Sequence, residues 1–292
     1  MVVWTTPGST RGQPVGIGTI RFFPQTPIGE PDYGLYAAGM NNVIEALREQ
    51  DEELSSMVTG LAENQLALPS ACPGWSVSDV LLHLAQTNEM AAASASGQLA
   101  GAAGGWAHSD SRVRTDVDDI VAGAVERERG ACGYEVVARW VKSADDMVGA
   151  LEACDPAARV QWVAGDMAPR TLATTRLAET WIHTGDVCAG LGIEQPKSER
   201  IWHIARLVHR TLPYSFLRAG CEPTGEVRFE LTSPTDERAV WCFGEDDAET
   251  VVAGPAVDLC HVAGQRANAD ETSLHGSGPD AATVLRIMRT FA

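Results

Sequence analysis

From Asn41 onward the chain falls into stretches whose apolar residues recur at helical intervals. Val43, Ile44, Leu47, Leu54, Met57, Val58 and Leu61 follow steps of three, four and seven, the spacing of a helix that buries one face. Pro69 and Pro73-Gly74 interrupt that pattern. A second helix is expected after Ser76, whose hydroxyl can cap it, with Asp79 near its positive end and Val77, Val80, Leu81 and Leu84 as its apolar stripe. The Ala-, Ser- and Gly-rich stretch from 92 to 109 reads as a loop, long for a bundle connection, that borders either a substrate entrance or plain surface. Helical spacing resumes in Val113, Val117, Ile120, Val121 and Val125, and again in Val136, Val137, Trp140, Val141, Met147, Val148 and Leu151. Val160 to Gly165 reads as short and extended; Pro169 suits the first turn of a further helix, which Gly190 and Gly192 end. Together these stretches predict a four-helix bundle.

Beyond Gly192 the period changes. A polar segment containing Pro196 marks a boundary, and Ile201 to Arg218 reads as helix. Val227, Phe229 and Leu231 then alternate with polar residues, with Arg238 to Phe243 as a partner strand, and helical segments at 255–266 and 280–291 close the chain. The expected fold class is therefore an α domain followed by an α+β domain: an extended or disordered arm over 1–36, the bundle over 37–194 and a small α+β domain over 195–292. Gly16-Ile-Gly18 in the arm lacks the strand, turn and helix that a nucleotide loop needs.

Composition narrows the function. A net charge of -17 over 292 residues argues against nucleic acid and anionic membrane as partners, since both require a basic face. No apolar run is long enough to span a bilayer, and the N-terminus lacks the pattern of a secretory signal. The seven cysteines, at 72, 132, 154, 188, 221, 242 and 260, are odd in number and form no C-x-x-C pair, as expected of reduced thiols in a cytoplasmic protein of small-molecule metabolism.

The candidate chemistry lies in Arg176-Leu-Ala-Glu-Thr-Trp-Ile-His-Thr-Gly-Asp186. On a helix, Glu179 and His183 stand one turn apart on one face, as two ligands of one metal must; the same spacing also describes an ordinary surface pair. His83 lies at the edge of the second helix's apolar stripe, where it can supply a third ligand or simply bond to backbone. Two imidazoles and a carboxylate leave the fourth position of a tetrahedral zinc open, and also suit Fe(II), Ni(II) or Co(II). Asp186 is either the orienting partner of His183 or a residue of the helix end, and Trp75 and Trp181 flank the ligands. Cys72, before a Pro-Gly turn, is a candidate thiolate or a packing residue. His203 and His209, six apart, diverge on a helix. Serine-hydrolase, H-E-x-x-H and Walker motifs are absent from the sequence.

Pro69-Ser-Ala-Cys-Pro-Gly-Trp-Ser-Val-Ser-Asp-Val-Leu-Leu-His83, followed by Ala178-Glu-Thr-Trp-Ile-His-Thr-Gly-Asp186, resembles the mycothiol-dependent maleylpyruvate isomerase family, a branch of the DinB-like metal-binding four-helix bundles. The resemblance covers 40–192 and extends more loosely to Gly254-Pro-Ala-Val-Asp-Leu-Cys-His-Val-Ala-Gly-Gln-Arg266. It implies zinc on His83, Glu179 and His183, acting catalytically through the metal, with mycothiol as co-substrate beside it. Arg266 and Trp181 are the candidate substrate contacts; Arg228 and Arg238 are further C-terminal arginines. The preferred reading is a zinc-dependent mycothiol S-transferase acting on an electrophilic small molecule, including in natural-product biosynthesis. The alternatives are a maleylpyruvate-type cis-trans isomerase and a non-catalytic metal-binding protein, with a metal hydrolase ranked below them. A monomer or homodimer is expected.

Overall fold

The computed structural model describes residues 33–99, 117–162 and 165–290. Residues 1–32, most of the expected N-terminal arm, lie outside the described residues, as do Val113 and the later part of the expected loop at 92–109.

Four long helices form the bundle: α1 (Tyr33–Val58), α3 (Val77–Ala95), α5 (Gly133–Ala153) and α6 (Pro169–Leu191). A single turn, α2 (Glu63–Leu66), follows α1, and α4 (Val117–Glu128) packs beside α3. The expected start of α3 is present in full: the Ser76 hydroxyl accepts from Asp79 N at 3.1 Å, and Asp79 Oδ2 accepts from Ser76 N at 2.9 Å. Contrary to the loop expected from residue 92, α3 continues to Ala95. Alanine is the best helix former, and Ala91 and Ser94 are buried, so packing carries the helix past the point where composition alone suggests a loop.

Helix α6 is the central element. Pro169 occupies its first turn and Gly192, at φ 69°, ends it in the left-handed conformation, whereas Gly190 lies within the helix. It packs on α1 and α3 on one side and on α7 (Ile201–Ala219) on another, so it is buried around most of its circumference. Gly190 has a specific reason to be glycine: an added Cβ would stand 2.7 Å from the Pro69 carbonyl oxygen and 3.1 Å from Ser70 Cα. That close approach lays the 69–76 turn against the end of α6.

After α7 comes a four-stranded sheet in the order β2-β1-β3-β4, formed by β1 (Val227–Thr232), β2 (Val240–Phe243), β3 (Thr250–Pro255) and β4 (His275–Ser277). β1 pairs antiparallel with β2 and parallel with β3, so that Phe229 lies opposite both Phe243 and Val252. Strands β3 and β4 were not expected from the sequence pattern. Helices α8 (Ala256–Ala263) and α9 (Ala281–Ile287) pack with α7 against the sheet, with Val227, Phe229 and Leu231 on the buried face. One apolar core runs from α1 and α6 into this α+β layer, and a second, containing Leu54, Leu81 and Trp140, fills the other end of the bundle. Among the described residues no helix is long and apolar enough to cross a membrane.

Candidate metal centre

The bundle brings His83, in the second turn of α3, against Glu179 and His183 on one face of α6. One ligand atom from each lies within 4.8 Å of the others. His83 Nε2 is 3.3 Å from Glu179 Oε2, and His183 Nε2 is 3.7 Å from the same oxygen. The edge of a tetrahedron around a zinc ion with bonds of about 2.0–2.1 Å is roughly 3.3–3.4 Å. Both imidazole-to-carboxylate separations therefore already stand near those that such an ion imposes.

Their charge states also suit a cation. Burial, aided by the fields of His183 and Arg176, pushes the His83 imidazole down to about 4 despite its hydrogen bond with Glu179, so the ring is neutral near pH 7. Burial acts to raise the Glu179 carboxyl, but the His83 hydrogen bond and the Arg176 guanidinium outweigh it and hold the group at about 2. The site thus offers two imidazoles and one carboxylate, all less than a tenth exposed. His83 Nδ1 is buried and has no hydrogen-bond partner among the described residues.

His183 is oriented from behind. Asp186, one turn later, accepts from His183 Nδ1 at 2.8 Å, which leaves Nε2 as the free lone pair on the triad side. The same carboxylate collects two further groups. Arg266, from the turn after α8, donates Nε to Oδ1 at 2.9 Å and Nη2 to Oδ2 at 2.8 Å, and the Cys72 thiol donates to Oδ2 at 3.0 Å. The Ala71 amide also bonds the Asp186 carbonyl at 3.1 Å, joining the 69–76 turn to α6. Cys72, Asp186 and His183 form a second set of donor atoms, but this one is occupied by its own hydrogen bonds.

Residues 47–188 match the family model of the mycothiol maleylpyruvate isomerase N-terminal domain. The bundle belongs to this family. Over 247 residues the chain is 28% identical to an uncharacterised protein of Mycobacterium tuberculosis, found in strains CDC 1551 / Oshkosh and ATCC 25618 / H37Rv, covering 84% of this chain and 93% of the relative. The fold is similar to crystal structures of the mycothiol-dependent maleylpyruvate isomerase and of a histidine-to-alanine mutant of it. Each has a TM-score of 0.54 at 13% identity, covering 83% of this chain and 95% of the other.

Within this family bundle the remaining candidates fall in different places. Trp75 lies over His83, with ring centroids 5.4 Å apart. Trp181 does not flank the ligands: two residues past Glu179 on a helix, it points to the other side of α6 and stacks on His261 at 5.1 Å. There it lines a cleft of about 710 Å³ together with Lys197, Ser198, Val257 and Asp258. Cys72 sits beside the site, yet burial and the Asp186 carboxylate push its thiol up to about 12, which keeps it protonated in the metal-free protein. Arg228 pairs with Glu230 and Asp246, away from the triad. His209 bonds the Val227 carbonyl at 2.9 Å and His203 packs on Trp202, so both serve the α+β layer.

Two polar residues near the site escaped the sequence reading. Arg176, 2% exposed, donates Nη2 to Thr87 Oγ1 at 2.9 Å and Asn88 Oδ1 at 3.0 Å, and places Nη1 3.9 Å from Glu179 Oε2. Asp51, in α1, is also buried. The signal for Asp51 was present: Leu47, Asp51, Leu54 and Val58 share one helical stripe, and a carboxylate on such a stripe demands a partner.

Proposed function

We propose that this chain is a metal-dependent enzyme that uses mycothiol to isomerise a double bond in an electrophilic small molecule. The observation that carries the reading is the convergence of His83, Glu179 and His183 within 4.8 Å, in a bundle of the mycothiol maleylpyruvate isomerase family. The likeness to the solved isomerase supports this branch over the S-transferase preferred from the sequence, so the order of those two readings is reversed.

Zinc, when bound, would stabilise a thiol sulfur as thiolate and so supply a nucleophile at neutral pH. The chain's residues provide the setting. His83 presents a neutral imidazole, His183 turns its Nε2 toward Glu179, and Glu179 supplies one negative charge. Asp186 fixes the tautomer of His183, and Arg266 holds Asp186 in place with both arms of its fork. Trp75 covers one side of His83 with an apolar ring, limiting the access of water.

Two measurements test this. Elemental analysis of the purified protein is expected to find near-stoichiometric metal that His83→Ala, Glu179→Ala and His183→Ala each lose while remaining folded. Turnover of a maleylpyruvate-type substrate is then followed with mycothiol well below the substrate concentration. An isomerase returns the thiol, so many products form per thiol; an S-transferase consumes one thiol per product. Metal unaffected by all three substitutions would sink the site, and one thiol lost per product would restore the transferase. Stoichiometric metal with no turnover would leave a metal-binding protein.

A further inference from the structure

Arg176 places a full positive charge, almost wholly enclosed, beside a candidate ligand of an ion that is itself positive. It stands three residues before Glu179 on α6, on the same face. Burying a guanidinium costs more than burying an apolar side chain of similar size, so an interior that needed only packing there would be served by methionine. Part of that cost is visible: Arg176 Nε and Asn88 Nδ2 are buried with no hydrogen-bond partner among the described residues. The contacts of the other two nitrogens give the reason for it.

Nη2 reaches across to α3, donating to Thr87 Oγ1 at 2.9 Å and Asn88 Oδ1 at 3.0 Å, while Nη1 stands 3.9 Å from Glu179 Oε2. One planar group thus spans the two helices that carry the candidate ligands. Thr87 passes the contact on, since its hydroxyl accepts from the guanidinium and donates to the His83 carbonyl at 3.0 Å, one turn back on α3. The arginine is therefore tied to the backbone of one candidate ligand and to the carboxylate of another. Oε2 is also the oxygen that His83 Nε2 and His183 Nε2 approach, at 3.3 and 3.7 Å. Of these three neighbours, Arg176 is the one whose charge does not depend on pH. Its 3.9 Å separation is beyond hydrogen-bond range, so it steadies the carboxylate by charge and leaves the lone pairs of Oε2 to other partners.

We infer that Arg176 is a positioning residue for the metal centre, fixing the Glu179 carboxylate relative to His83 through its contacts with Thr87 and Asn88. The inference rests on the proposed metal site and gives Arg176 no contact with metal, thiol or substrate. It makes a prediction opposite to that of simple repulsion, under which removing a cation so near the site would tighten the binding of a divalent ion.

The test reads zinc affinity, by competition with a chelating dye, and the visible spectrum of the cobalt(II)-loaded protein. Wild type, Arg176→Met, Thr87→Val and the double variant are compared, with metal-free unfolding followed in parallel. Arg176→Met is expected to weaken zinc by about 10–100-fold, the usual effect of losing a group that orients a ligand. It is also expected to shift the cobalt spectrum, which follows the arrangement of the ligands. Thr87→Val is expected to weaken zinc as well, but to change affinity by less than about threefold in the Arg176→Met background, because the group it anchors is gone. A merely structural arginine would lower stability and leave the cobalt spectrum at wild type, and that result overturns the inference. So does tighter zinc in Arg176→Met, or an equal effect of Thr87→Val in both backgrounds. If Arg176→Met does not fold, Thr87→Val decides: loss of affinity with a shifted cobalt spectrum supports the inference, and wild-type values overturn it. If wild type binds no zinc, the inference fails together with the proposed function. If wild type binds zinc that Glu179→Ala loses, yet Arg176→Met behaves as wild type, only the inference fails.

Discussion

Replacing Asp186 by asparagine removes the charge on which three elements converge. The carboxylate is 2% exposed and bonds His183 of its own helix, Arg266 of the C-terminal layer and Cys72 of the 69–76 turn. Breaking a fully buried ion pair costs about 3–5 kcal/mol. Arg266 is 32% exposed, so water stabilises part of its abandoned charge, and the expected loss falls to roughly 2–3 kcal/mol. The assay is urea unfolding of the metal-free protein at pH 7. The pH dependence gives a second check. Burial acts to raise the Asp186 carboxyl, but the His183 and Arg266 hydrogen bonds outweigh it and hold the group well below its ordinary 3.8. A depressed carboxyl stabilises the fold above its unfolded value and loses that contribution as pH falls through its folded value. The gap between wild type and Asp186→Asn is therefore full near neutrality and narrows once the pH drops below 3.8. A difference under about 0.5 kcal/mol at pH 7, the range of substitutions that touch nothing important, would refute the claim that this carboxylate clamps the site. A gap that does not change down to low pH would do the same.

Two other substitutions probe neighbouring parts of the argument. Gly190→Ala places a methyl 2.7 Å from the Pro69 carbonyl oxygen, which is backbone and has little freedom to yield, so a loss of about 1–3 kcal/mol is expected in thermal unfolding. A wild-type midpoint would show that α6 and the 69–76 turn are not in such close contact. Asp51 carries the opposite pH signature to Asp186: burial raises its carboxyl from 3.8 to about 7, so its contribution is full below 3.8 and is lost as pH rises through 7. Metal-free Asp51→Asn should therefore gain on wild type between pH 4 and 8, by up to roughly 4 kcal/mol, and parallel stability curves across that range would contradict the burial of an ionisable group there.

Much of the bundle was legible because its helices are amphipathic in the ordinary way. The stripes of Val43 to Val58 and Val77 to Leu84, the Ser76 cap, Pro169 and Gly192 are all local signals, and each marks the element that forms. Trp181 departs from its expected place beside the ligand candidates because adjacency in sequence is not adjacency in space. Two residues past Glu179 is a rotation of about 200° on a helix, which puts the indole on the opposite side. The central helix invites that error, since it is buried on several sides and has no polar face to set its orientation. Strand β3 pairs in parallel with β1 across an intervening strand, and β4 is three exposed residues, His275-Gly-Ser277; neither carries a local pattern strong enough to announce it. Arg266 was placed by a family-like motif, but its partner was not legible, because the contact joins residues 80 apart.

That contact gives the C-terminal layer a role in the site although it supplies none of the three candidate ligands. All three donors come from the bundle, and Arg266, Asp186 and His183 link the layer to them in series. If the hydrogen bond from His183 Nδ1 strengthens Nε2 as a donor, then holding Asp186 with Arg266 raises metal affinity. Binding free energies are reciprocal, so the metal must then strengthen the Arg266 contact by the same factor. Metal loading and the docking of the α+β layer onto the end of α6 are thus two readings of one equilibrium. A substitution at Arg266 should therefore change zinc affinity and the apparent stability of the C-terminal layer together, even where it touches no substrate.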